Sequence, residues 1–132
     1  MLQTVLLDKK GLTLVEVMIA LVVLLIVSLA LMQTALVSIN SNMTNILRDE
    51  AVSIAEESMN EARNIPFDNL AAGASGETVS RNFKNIANFQ YAVTRTVTDL
   101  NFNNKQIEIR VTWNWKGNPI PPHIITTIVR RS

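Results

Sequence analysis

A chain of 132 residues with 12 Lys and Arg against 11 Asp and Glu has a net charge of +1, which excludes a bulk electrostatic footprint on nucleic acid. It has no cysteine, so disulfides and thiolate metal sites are excluded as well. The length suits a single domain of ordinary size, with room for a membrane segment.

The apolar residues are unevenly distributed. Lys9 to Met32, KKGLTLVEVMIALVVLLIVSLALM, places one carboxylate, Glu16, inside an otherwise apolar run. Twenty residues from Leu12 span roughly 30 Å as a helix, which matches a hydrocarbon core. An acidic side chain at the centre of a bilayer costs roughly 2.5 to 3.5 kcal/mol, so Glu16 reads as a functional residue that needs a cation. No Lys, Arg or His follows it before Arg48, roughly 48 Å further along a helix. The cation is therefore expected from a neighbouring subunit or from an amine made by cutting the chain nearby. Lys9 and Lys10 precede the span and no basic residue follows it closely. The positive-inside bias then keeps the N-terminus cytoplasmic and sends the C-terminal part to the periplasm. Two plainer readings of this stretch stand beside that one: a secretory signal cut after Ala30, and an uncleaved anchor whose Glu16 snorkels to the interface.

From Leu12 to Ile65 there is no Gly and no Pro, which predicts one helix of about 50 residues. Beyond the apolar half, Leu36, Ile39, Met43, Ile46, Leu47, Ala51, Ile54, Ala55, Met59 and Ala62 recur at spacings of three and four. They form a stripe fit to cover a globular domain. Glu56, Glu57 and Glu61 fall mostly off the stripe and read as a solvated face, or as a face for a basic neighbour. Pro66 should end the helix near Arg63 to Ile65. Asn69 to Gly76, NLAAGASG, reads as a loop. Gln90 to Leu100 and Gln106 to Trp115 alternate as strands, Ile124 to Val129 supplies a third, and Glu77 to Phe83 is a possible short fourth. Asn101 to Lys105 joins the first two as a hairpin, and Lys116 to Pro122 makes a second, longer connection. Consecutive strands should pair antiparallel, with the helix stripe as their cover.

Candidate chemistry is sparse. His123, the one histidine, follows Pro121-Pro122 and reads as a surface side chain at a loop edge. Asp99-x-Asn101-x-Asn103 begins like a calcium loop but puts Asn104 where Gly is needed and Arg110 where a bidentate Glu belongs. Trp113 and Trp115 share a face with Ile107, Ile109 and Val111 and read as core. No His, Cys or paired-carboxylate arrangement points to an enzyme, a metal or a cofactor.

A short basic leader ending at Gly11, a new start at Leu12, Glu16 five residues in and an unbroken apolar run resemble the type IV prepilin signal of pilins and pseudopilins. The resemblance implies that a prepilin peptidase, recognising Lys9, Lys10, Gly11 and Leu12, cuts after Gly11 and N-methylates Leu12. It also implies that Glu16 serves assembly. The family more often has Phe at the position of Leu12, and the disulfide-closed loop of many major pilins is missing here. The implied fold is α+β, the pilin fold, with a long N-terminal helix packed on a small antiparallel β-sheet. Its parts would be a leader over 1–11, a membrane or filament-core half-helix over 12–32, an amphipathic half over 33–65 and a sheet domain over 66–132.

Gly11 to Met32 followed by Gln33, and the run Val111-Thr112-Trp113-Asn114-Trp115, are similar to the minor pilins called type IV pilus modification protein V. That resemblance implies a low-abundance subunit for pilus initiation, at the tip, with links to adhesion and twitching motility. Its partners would be other pilins and minor pilins, the prepilin peptidase and methyltransferase, and the inner-membrane assembly platform. Its location would be the inner membrane and then the pilus or pseudopilus. The I-type minor pseudopilins of type II secretion share the same N-terminal run. A membrane-anchored periplasmic scaffold or binding protein outside any filament is the competing class.

Overall fold

With neither Gly nor Pro to interrupt it from Leu12 onward, the N-terminal half of the chain forms one helix in the computed structural model: α1, Leu2–Asn64, 63 residues. The structure describes the backbone of residues 2–132 and the side chains of residues 13–132. α1 begins ahead of Leu12, within the expected leader, and stops two residues before Pro66 as the proline requires. The amide of Ile65 donates to the carbonyl of Ala62 at 3.3 Å, tightening the last turn. A single 3-10 turn, Phe67–Asn69, follows.

The chain divides into two compact units, Met1–Met43 and Thr44–Ser132. In the first, the large apolar side chains from Leu14 to Ile39 are all 48% to 68% exposed. Water is a poor solvent for such a surface, and the stretch is long and apolar enough to cross a membrane.

The second unit lays the Thr44–Asn64 part of α1 on a sheet. The strands are β1 (Gly73–Phe83), β2 (Ile86–Asn101), β3 (Asn104–Thr112), β4 (Asn114–Trp115), β5 (Asn118–Pro119) and β6 (His123–Arg130). Four of them form one sheet in the order β1-β2-β3-β6, every neighbour antiparallel, and β4 and β5 form a separate small hairpin. Period-two alternation sends Tyr91, Val93, Val97, Ile107, Ile109 and Val111 to the face under the helix. Leu47, Ala51, Ile54, Ala55, Met59 and Ala62 meet them, all buried. Each large side chain enclosed there contributes about 1.5 to 3 kcal/mol.

Several expectations shift. The helix stripe covers the sheet from Leu47 onward, whereas Leu36 and Ile39 stay exposed and Ile46 is 41% exposed. The expected loop from Asn69 to Gly76 is strand in its second half, because Gly73 to Gly76 pair with Val97 to Thr94 of β2. A long partner strand supplies ladder hydrogen bonds without help from side chains. The expected strand from Gln106 to Trp115 ends at Thr112, and Lys116 (φ 51°) with Gly117 (φ 77°) makes the two-residue turn between β4 and β5. Trp113 remains in the core at 4% exposure, but Trp115 leaves it and sits half-buried against Phe89, ring centroids 6.4 Å apart. The β2–β3 hairpin turns tightly on Phe102 and Asn103, with the Asn103 amide donating to Asn101 Oδ1 at 2.9 Å. Glu77 to Phe83, Gln90 to Leu100 and Ile124 to Val129 all lie within strands.

Candidate functional site

Within an apolar helix the informative side chains are the polar ones, and the question for each is where its hydrogen bonds go. Ser28 donates its hydroxyl to the Leu24 carbonyl at 2.7 Å, and Thr34 donates to Ala30 at 3.0 Å. Both are satisfied inside the helix and place no demand on a neighbour. Thr13 also has a partner. Glu16 is different: its side chain is exposed and makes no hydrogen bond or ion pair with any described residue. It is the one polar side chain between Leu14 and Met32 left in that state among the described residues. The cleavage residues expected from the sequence, Lys9, Lys10, Gly11 and Leu12, have side chains outside the described residues. Their backbone belongs to α1, so Leu12 and Glu16 are one helical turn apart.

Residues 6–32 match the family model of the prokaryotic N-terminal methylation motif. No curated protein and no solved structure matches this chain. The methylation motif, a class III signal peptide, encloses Lys9 through Glu16 and most of the exposed apolar helix. It supports a type IV pilin-like protein, a pilin or a pseudopilin, with prepilin cleavage and an apolar helix suited to membrane anchoring. Interaction with other pilins and with a prepilin peptidase follows from the motif in general terms.

The sheet unit holds its polar side chains to structural tasks. Arg81 on β1 donates from Nε to Glu50 at 2.8 Å and from Nη2 to Glu57 at 3.0 Å. Glu57, read from the sequence as solvated or as meeting a neighbouring subunit, is thus paired within its own chain. Half of the signal was local: Glu50 and Glu57 stand seven residues apart, two turns along one side of a helix. Tyr91 donates its phenol to the Leu47 carbonyl at 2.9 Å. Burial, then the nearby charge of Glu50, pushes that phenol well above its ordinary range, while Arg81 pulls the other way.

The segment after the helix is held by cations. Lys105 Nζ donates to the carbonyls of Phe67 and Leu70 at 3.1 and 2.6 Å. Arg131 pairs with Asp68 and lies over the rings of Phe67 and Phe102 at 5.3 and 5.0 Å.

The remaining sequence candidates are also placed. Asp99 faces Lys105 at 3.8 Å and Asn101 caps its own hairpin, so the oxygens of the calcium-like run are engaged in a tight turn rather than arranged as a ring. Among the described residues no group of three or more His, Cys, Asp or Glu is placed to hold a metal ion. His123 is the first residue of β6, not a loop residue, and its Nε2 is buried without a hydrogen-bond partner among the described residues. Pairing with Val111 draws it into the sheet. An open groove of about 730 Å³ runs past Asn88, Gln90, Thr112 and Asn114, and no ionisable side chain lines it.

Proposed function

We propose that this chain is a minor pilin, a low-abundance subunit of a type IV pilus that acts in initiation at the tip. The observation that carries the proposal is Glu16, a carboxylate without a partner among the described residues, on an apolar stretch of helix whose side chains are exposed, inside a match to the methylation motif. Leader removal after Gly11 creates an amine on Leu12. One turn away, that amine meets Glu16 of its own chain or of a neighbouring pilin. The pairing offsets the cost of burying either charge alone. Because it is short-ranged, it also sets the axial stagger of adjacent helices, since a subunit out of register leaves both charges unpaired. Val17 to Met32 supply the apolar packing surface for lipid and then for other pilin helices, and the sheet unit lies in the periplasm.

The minor-pilin assignment rests on the subtype resemblance of Gly11 to Gln33 and Val111 to Trp115. The test is Glu16→Ala in cells. Leader removal should proceed, while incorporation fails and piliation drops; normal piliation by this variant contradicts the proposal. If secretion rather than piliation is lost, the chain is an I-type minor pseudopilin. If neither changes, a membrane-anchored scaffold outside a filament is the better reading.

A further inference from the structure

The two edges of the four-stranded sheet are built differently. β1 carries the features that keep an edge unpaired: Gly73 and Gly76, the charges of Glu77 and Arg81, and a register shift between Arg81 and Phe83. β6 has no glycine, and its one fixed charge is Arg130 at its last position. Its register against β3 is unbroken from Asn104↔Arg130 to Val111↔His123. From Ile124 to Val129 it is IITTIV, six uncharged residues of which all are strong strand formers. On the face away from the helix, Ile124 is 42% and Ile128 62% exposed. A long, flat, apolar edge is an aggregation hazard unless something pairs with it.

We infer that β6 is an assembly edge, and that its occupant is the first edge strand of a different subunit of this same fold. The inference rests on the filament reading above. Orientation excludes two-fold pairing of β6 with β6 of a second copy. The axis of such a pair stands normal to the sheet, so it reverses the Thr44–Asn64 helix that lies along the sheet. Two chains held in one membrane by the same N-terminal segment must instead enter this unit from the same side.

With four antiparallel strands, β1 runs antiparallel to β6. A subunit of the same fold and orientation therefore presents its first strand antiparallel to β6, in line for β-augmentation. The β1 of this chain is a poor occupant because of its glycines, charges and bulge, which points to a different subunit. That strand should carry β-branched side chains opposite Ile124 and Ile128. It should also carry a carboxylate near Arg130, which is exposed and forms no ion pair among the described residues.

Because the chain has no native cysteine, a single one placed on the edge can be labelled selectively. Thr126→Cys in the full-length chain, in membranes from cells with the complete assembly system, is labelled with a maleimide photo-crosslinker, and Ser80→Cys on β1 is the control. The expected result is a crosslink from position 126 to another pilin-like subunit, about tenfold stronger than from position 80 and reduced about fivefold by Ile128→Lys, as for the loss of one cross-strand anchor. The same label on Ile124→Cys gives a second reading should the Thr126 variant fold poorly. A crosslink mainly to a second copy of this chain, to a protein without the fold, or to nothing overturns the inference. Methylation of Leu12, read from the same preparation, separates the two claims. A methylated chain without the crosslink removes the edge inference alone, whereas an unmethylated one removes the filament reading.

Discussion

At the residue scale, three side chains carry distinct and separable effects. On the proposed function Glu16 acts in assembly: it makes no hydrogen bond or ion pair with any described residue, so Glu16→Ala should leave the thermal stability of the sheet unit unchanged within about 0.5 kcal/mol. Circular dichroism of the detergent-extracted protein checks this, and a large loss would mean that Glu16 serves the fold. Tyr91 acts in the reverse way. Tyr91→Phe removes a buried hydrogen bond to Leu47 and should cost about 1 kcal/mol. Because the phenol is pushed up in the folded state, its contribution is complete below its ordinary value of about 10 and fades as pH rises above that, where the unfolded chain ionises first. Stability against urea should therefore weaken above about pH 10 in the wild type and less so in Tyr91→Phe. Arg81 clamps β1 to the helix through partly exposed carboxylates, so Arg81→Ala should cost only about 0.5 to 1 kcal/mol, with the loss shrinking at high salt.

At the element scale, the core between α1 and the sheet is where substitutions are expensive. Ile109 is fully buried, so Ile109→Ala should cost about 2 to 5 kcal/mol, and Ala55→Leu should cost about 1 to 3 kcal/mol by overpacking a site already closed. Chemical denaturation midpoints measure both. Gly117 stands at φ 77° in the β4–β5 turn, and Gly117→Ala should cost about 1 kcal/mol through backbone strain alone.

The elements differ in how legible they were before the structure. The helix and its end were written in the run without Gly or Pro and in Pro66, β3 in its alternation and β6 in its Ile, Thr and Val content, because each signal is local. The start of β1 was not legible. Gly73 to Gly76 have little strand preference of their own and are ordered by the backbone of β2, a partner about twenty residues away in sequence that no local window contains. The break after Thr112 was hidden because Trp113 and Trp115 keep the alternation going while the turn at Lys116 and Gly117 pulls only the second ring from the core. Arg81, the intrachain partner of Glu57, was hidden for the same long-range reason, although the spacing of the two carboxylates was in view.

At the scale of the whole molecule, the two units divide the work by the solvent each can tolerate. The first unit exposes apolar side chains from Leu14 to Ile39 that need lipid or other helices, and Thr44–Ser132 has a core of its own. Within the first unit the methylation motif was legible from sequence, because a Gly, a Glu and an apolar run at fixed spacing are one-dimensional features. The destination of the Glu16 charge is not, since no cation in the described part of the chain answers it. On the proposed mechanism, assembly turns on an amine that exists only after the leader has gone. The direct measurement is the intact mass and N-terminal sequence of the protein purified from its own membrane. The expected chain begins at a methylated Leu12; a chain that still carries residues 1–11, or begins at Leu31, contradicts this mechanism.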